Sequence, residues 1–517
     1  MDIRPTQSNQ TETNQTPYKF HDNKQKNVDV HPDHYKVAAK IDVDKDHNLS
    51  DKEIKSYLRK EDILRDPAIA QTDEKLILRD YKRTLQNQPI EQTPSYHSYE
   101  ELTNELHALV EKFPDTAELI SLTKSSEGRD VWALKITKKP EPDPQDPENP
   151  ENPGDGQTPP PQQPAEPGES RWILSDENNQ NPPAQEPGQE PGQEPPDNGE
   201  PQEPRKPGIL ITGEHHAREW ISLEVPLFAA KQILENYETD PKMKERVDKS
   251  VIWVVPLVNP DGYEYTRNES FWWRKNRQPI TETACDIEEQ PPGNLCNLPG
   301  GVGTSKRSDD EILGYGIDPN RNYVDDNPDN YNMYRPEGDT ACSTWDDEGA
   351  SDRISSSTYR GPAGGYAPEV KALMDLQESG QIDAAIDFHS YGRMILYPIG
   401  HSYDEHAENE EEYKQVAQNM SQIIHDADEE GVTYRPMKST DLYPACGTSE
   451  DFQYANKILG FTVELARSYA PDEEDIEPIR KRLLGAQLYL IDYAINKPPE
   501  PEPEPQPIPQ PQNPATS

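Results

Sequence analysis

The sequence predicts an α/β fold in which a mixed, mostly parallel sheet is sandwiched between helices. Three segments of strand length are mainly apolar: GILIT at 208–212, VIWVVPLV at 251–258 and IDAAIDF at 382–388. Amphipathic helical patterns separate these segments along the chain. Strands that are apolar on both faces are typical of a sheet that helices cover on both sides.

The spacing of apolar residues predicts the other elements of this domain. Leu102, Leu106 and Leu109 recur at helical intervals within 98–113, and VWALKI at 131–136 has the composition of a strand. The same criteria predict further helices at 218–236, 367–378, 406–428 and 475–495, and further strands at 393–397 and 461–465. We therefore expect one α/β domain over residues 95–497.

Proline-rich tracts interrupt and follow this domain. Of the 54 prolines in the 517 residues, 20 lie in 140–207 and nine lie in 498–517. Tracts of Pro, Glu and Gln form extended, solvated chain without a core. We predict a disordered insertion at 140–207, between two strands of the domain, and a disordered tail at 498–517. The polar residues 1–30 are predicted to be disordered as well.

The charge of the chain excludes several functions. With 52 Lys and Arg against 97 Asp and Glu, the formal net charge is −45. Nucleic acids and anionic membrane surfaces both require clustered cations, so neither is expected as a partner. The chain has no run of about 18 apolar residues that could span a membrane. Residues 1–18 lack the apolar stretch of a classical secretory signal.

The four cysteines are Cys285, Cys296, Cys342 and Cys446, and none of them forms a CxxC metal motif. Cys285 and Cys296 flank a loop that contains proline and glycine, so they could form a disulfide bond. Free thiols are the alternative. The choice between them bears on the compartment, because disulfide bonds persist in oxidising environments.

A short acidic segment near the N-terminus matches a calcium-binding loop. Residues 42–53 (DVDKDHNLSDKE) have the ligand spacing of an EF-hand. The ligands at positions 1, 3, 5, 7 and 12 would be Asp42, Asp44, Asp46, the backbone carbonyl of Asn48, and Glu53. One residue departs from the pattern, because His47 occupies the position where glycine is expected. An acidic surface turn is the alternative. We predict a small α-helical, EF-hand-like module at 31–90, including a helix at 71–87.

Three potential metal ligands follow the ends of predicted strands. His216 and Glu219 lie three residues apart just after strand 208–212, and His389 follows strand 382–388 directly. Two histidines and one glutamate with an open fourth position are typical of catalytic zinc sites. Taken alone, a surface histidine beside a glutamate that begins a helix is the commoner occurrence. His215 is interpreted as a neighbour of the site.

The motif HAREW at 216–220 is followed by seven others in a recognisable order. They are NPDG at 259–262, WRKNR at 273–277, DPNRN at 318–322, YRGP at 359–362, IDFHSY at 386–391, Tyr443 with GTS at 447–449, and FTVEL at 461–465. Together they resemble the zinc carboxypeptidases of the carboxypeptidase A/B/T type. The resemblance covers about 95–139 and 208–497. It implies the fold of that family and the removal of C-terminal residues from peptides.

The resemblance also implies a role for each matching residue. His216, Glu219 and His389 would bind one Zn²⁺. Glu464 would be the general base, and Arg274 would stabilise the developing oxyanion.

Four further residues would contact the substrate by the same resemblance. Asn320 and Arg321 would bind the terminal carboxylate of the peptide, for which a guanidinium is well suited. Tyr443 matches a mobile tyrosine that closes over the substrate. Arg218 matches an additional arginine that contacts the substrate.

Glu450 occupies the position that matches the floor of the side-chain pocket. An acid at this position resembles carboxypeptidase B, which prefers C-terminal Lys or Arg. A buried carboxylate is costly unless it meets a cation, so a basic substrate side chain would suit it. Two alternatives remain open: Lys438 could neutralise Glu450, or Glu450 could turn outward to solvent.

The leading hypothesis is a zinc-dependent metallocarboxypeptidase that acts on peptide or protein C-termini and prefers basic residues. One alternative is an amidase or carboxypeptidase that acts on peptidoglycan stem peptides. Another is a calcium-binding interaction protein with a degenerate hydrolase domain. The family resemblance favours secretion, although no signal is visible, and a monomer is assumed.

Overall fold

The computed structural model describes the greater part of the predicted domain and parts of the N-terminal region. The described residues are 19–21, 27–29, 41, 45, 48–60, 82, 96–139, 205–281, 312–324, 349–428 and 431–497. Internal contacts divide the chain into two units, one of residues 1–138 with 206–517 and the other of residues 139–205. Nearly all of the second unit lies outside the described residues, and so does the tail at 498–517. The disorder expected there stays a prediction.

The described N-terminal residues form short elements. Strand β1 (Lys19–His21) pairs antiparallel with β2 (Asn27–Asp29) and parallel with β3 (Asn48–Leu49). Helix α1 (Asp51–Lys60) follows β3. Residues 1–30 therefore include two described short strands, and 31–90 include one strand and one helix. The disorder, the EF-hand-like module and its helix at 71–87, of which only residue 82 is described, stay predictions. Strands of two or three residues are too short for the alternation over four to eight residues that identifies a strand in a sequence.

The α/β domain begins at α2 and ends at α9. Its helices are α2 (Tyr99–Lys112), α3 (Ile221–Glu235), α4 (Pro241–Lys249), α5 (Pro260–Asn268), α6 (Pro368–Leu376), α7 (Glu410–Asp426), α8 (Ser449–Ala455) and α9 (Glu473–Asn496). Its strands are β4 (Ala117–Lys124), β5 (Asp130–Ile136), β6 (Gly208–Gly213), β7 (Val251–Val255), β8 (Pro279–Thr281), β9 (Ile312–Tyr315), β10 (Ala384–Ser390), β11 (Met394–Tyr397), β12 (Arg435–Lys438) and β13 (Leu459–Leu465).

Eight of these strands form one mixed sheet in the order β12-β11-β13-β10-β6-β7-β5-β4. The central strands β13, β10, β6 and β7 are mutually parallel. Antiparallel pairs join β11 to β13, β5 to β7 and β4 to β5. The predicted mixed, mostly parallel sheet is confirmed. The carboxyl ends of the parallel strands lie at the same edge, which is where open α/β sheets bind their ligands.

Alternate side chains of the central strands enter two separate apolar clusters. Ile209 and Ile211 of β6 pack in one cluster with residues of α3, α7 and α9, whereas Leu210 packs in the other with residues of α6. Because successive side chains of a strand point to opposite faces, the two clusters lie on the two sides of the sheet. Helices therefore cover both faces, as the apolar strands predicted.

Several short elements were not predicted, and α4 and α5 show why. Each begins with a proline, at Pro241 and Pro260, and each is capped by the side chain of the preceding residue, Asp240 or Asn259. Proline suits the first position of a helix, because that position needs no N–H donor. A helix of nine residues contains too few turns for an apolar period to stand out.

The side chain of Asn259 also reaches beyond its own helix. Its Oδ1 accepts the Gly262 amide at 3.0 Å, while its Nδ2 donates to the carbonyl of His215 at 3.0 Å. The adjacent Asp261 is buried and accepts hydrogen bonds from Ser125, Ser126, Arg129 and the Glu127 amide. The NPDG segment therefore ties the chain after β6 to the hairpin between β4 and β5.

No helix in the described ranges is both long enough and apolar enough to span a membrane.

Candidate active site

The candidate site lies where three parallel strands end. Strand β10 carries His389 near its end, and Glu464 of β13 is its paired neighbour in the sheet register. Strand β6, on the other side of β10, ends at Gly213 and leads into His216 and Glu219. These residues come from distant parts of the sequence, and parallel pairing brings them to one edge.

His216, Glu219 and His389 form a compact group of metal-binding atoms. Nδ1 of His216 lies 2.8 Å from Oε1 of Glu219 and 3.0 Å from Nδ1 of His389. Nδ1 of His389 lies 3.1 Å from Oε2 of Glu219. All three residues are buried, and their ligand atoms lie within 4.8 Å of one another.

The chemistry of these donors fits zinc. Two imidazole nitrogens that face each other at 3.0 Å repel unless a proton or a cation lies between them. Two nitrogens and one carboxylate are the donor set of catalytic zinc sites with an open position. In the described part of the chain, one group of three or more His, Cys, Asp or Glu residues has its ligand atoms close enough to share a metal ion, and it is this one.

Asp318 contacts both a metal-binding residue and an arginine of the site. Its Oδ1 lies 3.1 Å from Nε2 of His216, and its Oδ2 accepts a hydrogen bond from Nε of Arg274 at 2.8 Å. Burial by itself would raise the pKa of Asp318, but the charges of Arg274 and His216 outweigh burial and hold this pKa well below its usual value. A carboxylate at Nε2 keeps the proton there and leaves Nδ1 available to a metal.

Other contacts hold the loop that carries His216 and Glu219. The Ala217 amide donates to the carbonyl of Arg274, and the Ser390 amide donates to Oε2 of Glu219, at 2.9 and 3.0 Å. The ring of His215 stacks on that of His389 with centroids 5.2 Å apart, and its Nε2 lies 2.9 Å from the hydroxyl of Tyr323. His215 is thus a neighbour of the metal-binding group and lies outside it.

One cleft is lined by most of the residues that the sequence singled out. They are His216, Glu219, Arg274, Asn320, Arg321, His389, Tyr443, Glu450 and Glu464. Arg218 is absent from the described lining of this cleft. Its guanidinium lies over the ring of Tyr469, 4.5 Å from the centroid, and Tyr469 itself lines the cleft.

Asn320 and Arg321 are held in place by backbone groups on both sides. Oδ1 of Asn320 accepts the Ser449 amide at 2.8 Å, and its Nδ2 lies 3.3 Å from Nε2 of His389. Nε of Arg321 donates to the carbonyl of Gly349 at 2.5 Å, and its Nη2 lies 3.3 Å from the hydroxyl of Tyr443. The amide and the guanidinium therefore approach the cleft beside the metal-binding group.

Glu450 faces the cleft and is only 4% exposed. Oγ1 of Thr462 donates to its Oε2 at 3.2 Å. Burial and the negative charges of Asp451 and Asp387 raise the pKa of Glu450 to about 7, although Arg321 opposes this shift. The structure does not place Glu450 in solvent.

Lys438 does not neutralise Glu450. Its ammonium group donates to the carbonyl oxygens of Ser402 and Glu405. Among the described residues, no ion pair involves Glu450.

The candidate calcium loop is described only in part. Asp42, Asp44 and Asp46 lie outside the described residues. Asn48 lies in β3, and Glu53 lies in the first turn of α1. Oε2 of Glu53 accepts the amide and the hydroxyl of Ser50 at 3.0 and 2.6 Å, so this carboxylate caps the start of α1. Calcium binding stays a prediction.

Sequence reasoning missed several residues of the site. Asp318 was part of a quoted motif, and the rule that a metal-binding histidine usually contacts a carboxylate could have indicated it. Thr462 was part of the quoted motif FTVEL but was assigned no role, and Tyr469 lines the cleft without any signal of its own in the sequence. They reach the cleft only through the packing of the segments that carry them.

Cys446 lies in the loop between Tyr443 and Glu450 and is fully buried. It is disulfide-bonded, and its partner lies outside the described residues, as do Cys285, Cys296 and Cys342. The free-thiol alternative therefore does not hold for Cys446.

A comparison with models of protein families decides the classification. The model of the family described as zinc carboxypeptidase matches residues 102–484. The chain belongs to the zinc carboxypeptidase family. The match includes every residue that lines the cleft, from His216 to Tyr469.

Curated relatives are similar over part of this chain. Carboxypeptidase A4 of Mus musculus is 31% identical over 264 residues, which are 50% of this chain and 51% of the relative. Carboxypeptidase B of Rattus norvegicus is 30% identical over 265 residues, which are 51% of this chain and 52% of the relative. The matches thus span about half the length of the curated relatives.

Solved structures share the fold. Bovine thrombin-activatable fibrinolysis inhibitor, in complex with tick carboxypeptidase inhibitor, has a TM-score of 0.52 at 21% identity, over 78% of this chain and 99% of that one. Carboxypeptidase A from Helicoverpa armigera has a TM-score of 0.52 at 19% identity, over 86% of this chain and 81% of that one.

The contact between Asp318 and His216 predicts an effect on zinc affinity. Asp318→Asn removes the charge that orients His216, so we expect the dissociation constant for Zn²⁺ to rise by about 10- to 100-fold. Competition with a chromogenic chelator measures this constant. Asp130→Asn, which changes a carboxylate paired with Lys124, is the matched control and should leave it unchanged. An Asp318→Asn variant with the affinity of the unmodified protein would contradict the role of Asp318.

Proposed function

We propose that this protein is a zinc-dependent metallocarboxypeptidase that removes C-terminal residues from peptides or proteins. One observation carries the proposal: the cleft that contains the three metal-binding residues is also lined by Glu464, Arg274, Asn320 and Arg321. A hydrolytic centre and a group that binds a terminal carboxylate would therefore be adjacent. This combination is what an exopeptidase requires.

His216, Glu219 and His389 would hold the zinc ion. When bound, zinc polarises the scissile carbonyl and makes the attacking water more acidic. Glu464 is the neighbour of His389 in the sheet register, so its carboxylate would accept the proton of the water and return it to the leaving amine. Arg274 is anchored by Asp318 and would donate to the oxygen on which negative charge develops.

The substrate would be recognised by its terminal carboxylate. The guanidinium of Arg321 and the amide of Asn320 offer donors on the cleft side of the metal-binding group. The hydroxyl of Tyr443 is 3.3 Å from Nη2 of Arg321, so both would reach the same end of the substrate. Arg218, against Tyr469, would contact a residue further from the C-terminus.

The alternatives are less well supported. A degenerate hydrolase domain would lack part of this set, yet the metal-binding group, Glu464 and Arg274 are all present around one cleft. Peptidoglycan stem peptides also end in a carboxylate, so the clamp alone does not exclude them. The two classes of substrate differ in the side chain of the terminal residue. Glu450 is the residue proposed to contact that side chain.

We further propose that Glu450 favours basic C-terminal residues. It is buried, it lines the cleft, and it has no ion-pair partner among the described residues. A substrate Lys or Arg would offset the cost of a buried carboxylate. Since Lys438 donates to carbonyl groups elsewhere, it does not compete for Glu450.

Two further proposals concern the N-terminal region and the compartment. We propose that residues 42–53 bind Ca²⁺ through Asp42, Asp44, Asp46, Asn48 and Glu53. The turn supports this, because Lys45 has a φ of +62° and Glu53 lies in the first turn of α1.

We also propose an extracellular location, which the disulfide bond of Cys446 supports.

Replacing the general base tests the enzymatic proposal. Glu464→Gln keeps the shape of the side chain but cannot accept a proton, so kcat should fall by about two to four orders of magnitude. Bound zinc, measured by metal analysis, should remain. Glu118→Gln, on the exposed side of β4, is the matched control. Near-normal turnover by Glu464→Gln would remove Glu464 from the mechanism.

A panel of peptides that differ only in the last residue tests the specificity. At pH 8 we expect kcat/KM to be higher for C-terminal Arg or Lys than for Phe or Leu, because Glu450 is then ionised. Glu450→Ile should abolish this preference while leaving cleavage of Phe and Leu intact. If the unmodified protein cleaves Phe and Leu as well or better, the basic pocket is wrong and the zinc chemistry is unaffected.

Titration calorimetry with Ca²⁺ tests the N-terminal loop. The full chain should show a heat of binding at millimolar or lower Ca²⁺ concentration. Glu53→Gln should reduce this heat strongly, because a bidentate ligand is lost. Glu100→Gln, an exposed residue of α2, is the control. Heat that is absent, or that Glu53→Gln leaves unchanged, would rule out this site.

A further inference from the structure

Two consecutive carboxylates at the start of α8 are buried together. Glu450 is 4% exposed and Asp451 is 1% exposed. A Cβ atom built on Gly400 would lie 3.4 Å from Oε1 of Glu450 and 3.5 Å from Oδ2 of Asp451, so both carboxylates approach the same glycine. Two like charges in a buried setting cannot both be ionised without cost. Their surroundings decide which of them gives up its charge.

Asp451 is surrounded by donors. Its Oδ1 accepts the Gly400 amide at 2.7 Å, and its Oδ2 accepts the His401 amide at 3.0 Å. Nδ1 of His401 lies 2.7 Å from the same Oδ2, and Nε2 of His401 lies 3.4 Å from Glu405. Burial by itself lowers the pKa of His401, but its hydrogen bond to Asp451 outweighs burial and raises it. Three donors from Gly400 and His401 therefore converge on Asp451.

Glu450 has much weaker support. Its side chain accepts the hydroxyl of Thr462 at 3.2 Å and a backbone hydrogen bond that favours its ionised form. The other charged groups that act on it are Asp387 of β10, which opposes its ionisation, and Arg321, which favours it. The charge of Glu450 also contributes to the raised pKa of Tyr323, while Lys438 of β12 donates to Ser402 and Glu405. Of the two carboxylates, Glu450 therefore has the fewer donors.

We propose that the charge of Glu450 changes within the pH range in which the site works, so that the C-terminal residue it accepts changes with pH. In its ionised form the pocket takes Arg or Lys. In its protonated form the same carboxyl group is a neutral hydrogen-bond donor and acceptor. The pocket then accepts uncharged polar residues as well as it accepts Arg or Lys. This inference rests on the proposed carboxypeptidase activity and adds a condition to its specificity.

The pKa of Glu450, raised to about 7, agrees with this arrangement. An acid with that pKa is ionised to about one tenth at pH 6 and to about nine tenths at pH 8. The guanidinium of a substrate arginine keeps its charge throughout this range. Of the two partners, only the pocket changes its charge, so the preference for arginine over an uncharged residue follows the ionised fraction of Glu450.

Two peptides that end in arginine and in citrulline provide the test. Citrulline has nearly the shape of arginine but no charge. The ratio of their kcat/KM values cancels every ionisation that affects both substrates alike, including that of Glu464. For the zinc-loaded full chain we expect this ratio to rise about tenfold between pH 6 and pH 8. Glu450→Gln should give a ratio that does not vary with pH.

Asp451→Asn provides a second variant. It removes the like charge beside Glu450, so the midpoint of the change should move to lower pH. Should that variant fail to fold, the unmodified protein and Glu450→Gln still decide the matter. Cleavage of both peptides at a pH-independent ratio would overturn the inference and leave the carboxypeptidase proposal standing. A ratio that still rises in Glu450→Gln would also overturn it. Cleavage of neither peptide would overturn the inference, and only a failure to cleave the Phe and Leu peptides as well would overturn the carboxypeptidase proposal.

Discussion

The parallel pairing of β6, β10 and β13 is the constraint on which the candidate site depends. It brings the ends of three strands to one edge of the sheet and sets His389 beside Glu464 in register. A shift of one residue in this register would turn either side chain to the opposite face. The apolar clusters on both faces stabilise the register, because each strand buries alternate residues on each side. The chemistry at the edge is therefore a consequence of how the core packs.

Charge balance within the site is a second theme. The chain as a whole carries a net charge of −45, yet the cleft contains Arg274 and Arg321 beside the metal-binding group. Asp318 connects these parts, since it contacts both His216 and Arg274. The orientation of His216 therefore depends on a charge that lies outside the group of metal-binding residues. The same carboxylate anchors the arginine that would meet the oxyanion.

In the pocket for the terminal side chain, the number of hydrogen-bond donors differs between two adjacent carboxylates. Glu450 and Asp451 are neighbours in sequence, but the chain of Gly400 and His401 supplies donors to Asp451 alone. Asp451 thereby accepts three hydrogen bonds, and Glu450 is the carboxylate that we propose responds to substrate and to pH. Selectivity in this protein would then depend on Gly400 and His401, which are not among the described residues that line the cleft.

The sequence by itself determined the sheet-and-helix architecture and the residues of the metal-binding group. Long apolar periods and ordered motifs are local signals, so residues such as His216 and Glu464 could be identified from them. It did not reveal the shortest elements, because a strand of three residues such as Lys19–His21 has no period to detect. Only the tertiary structure showed that Asp318 joins His216 to Arg274, that Lys438 is turned away from Glu450, and that His401 is paired with Asp451. These contacts join residues tens to about a hundred positions apart, and the packing of the fold, which no local pattern encodes, decides which partners meet.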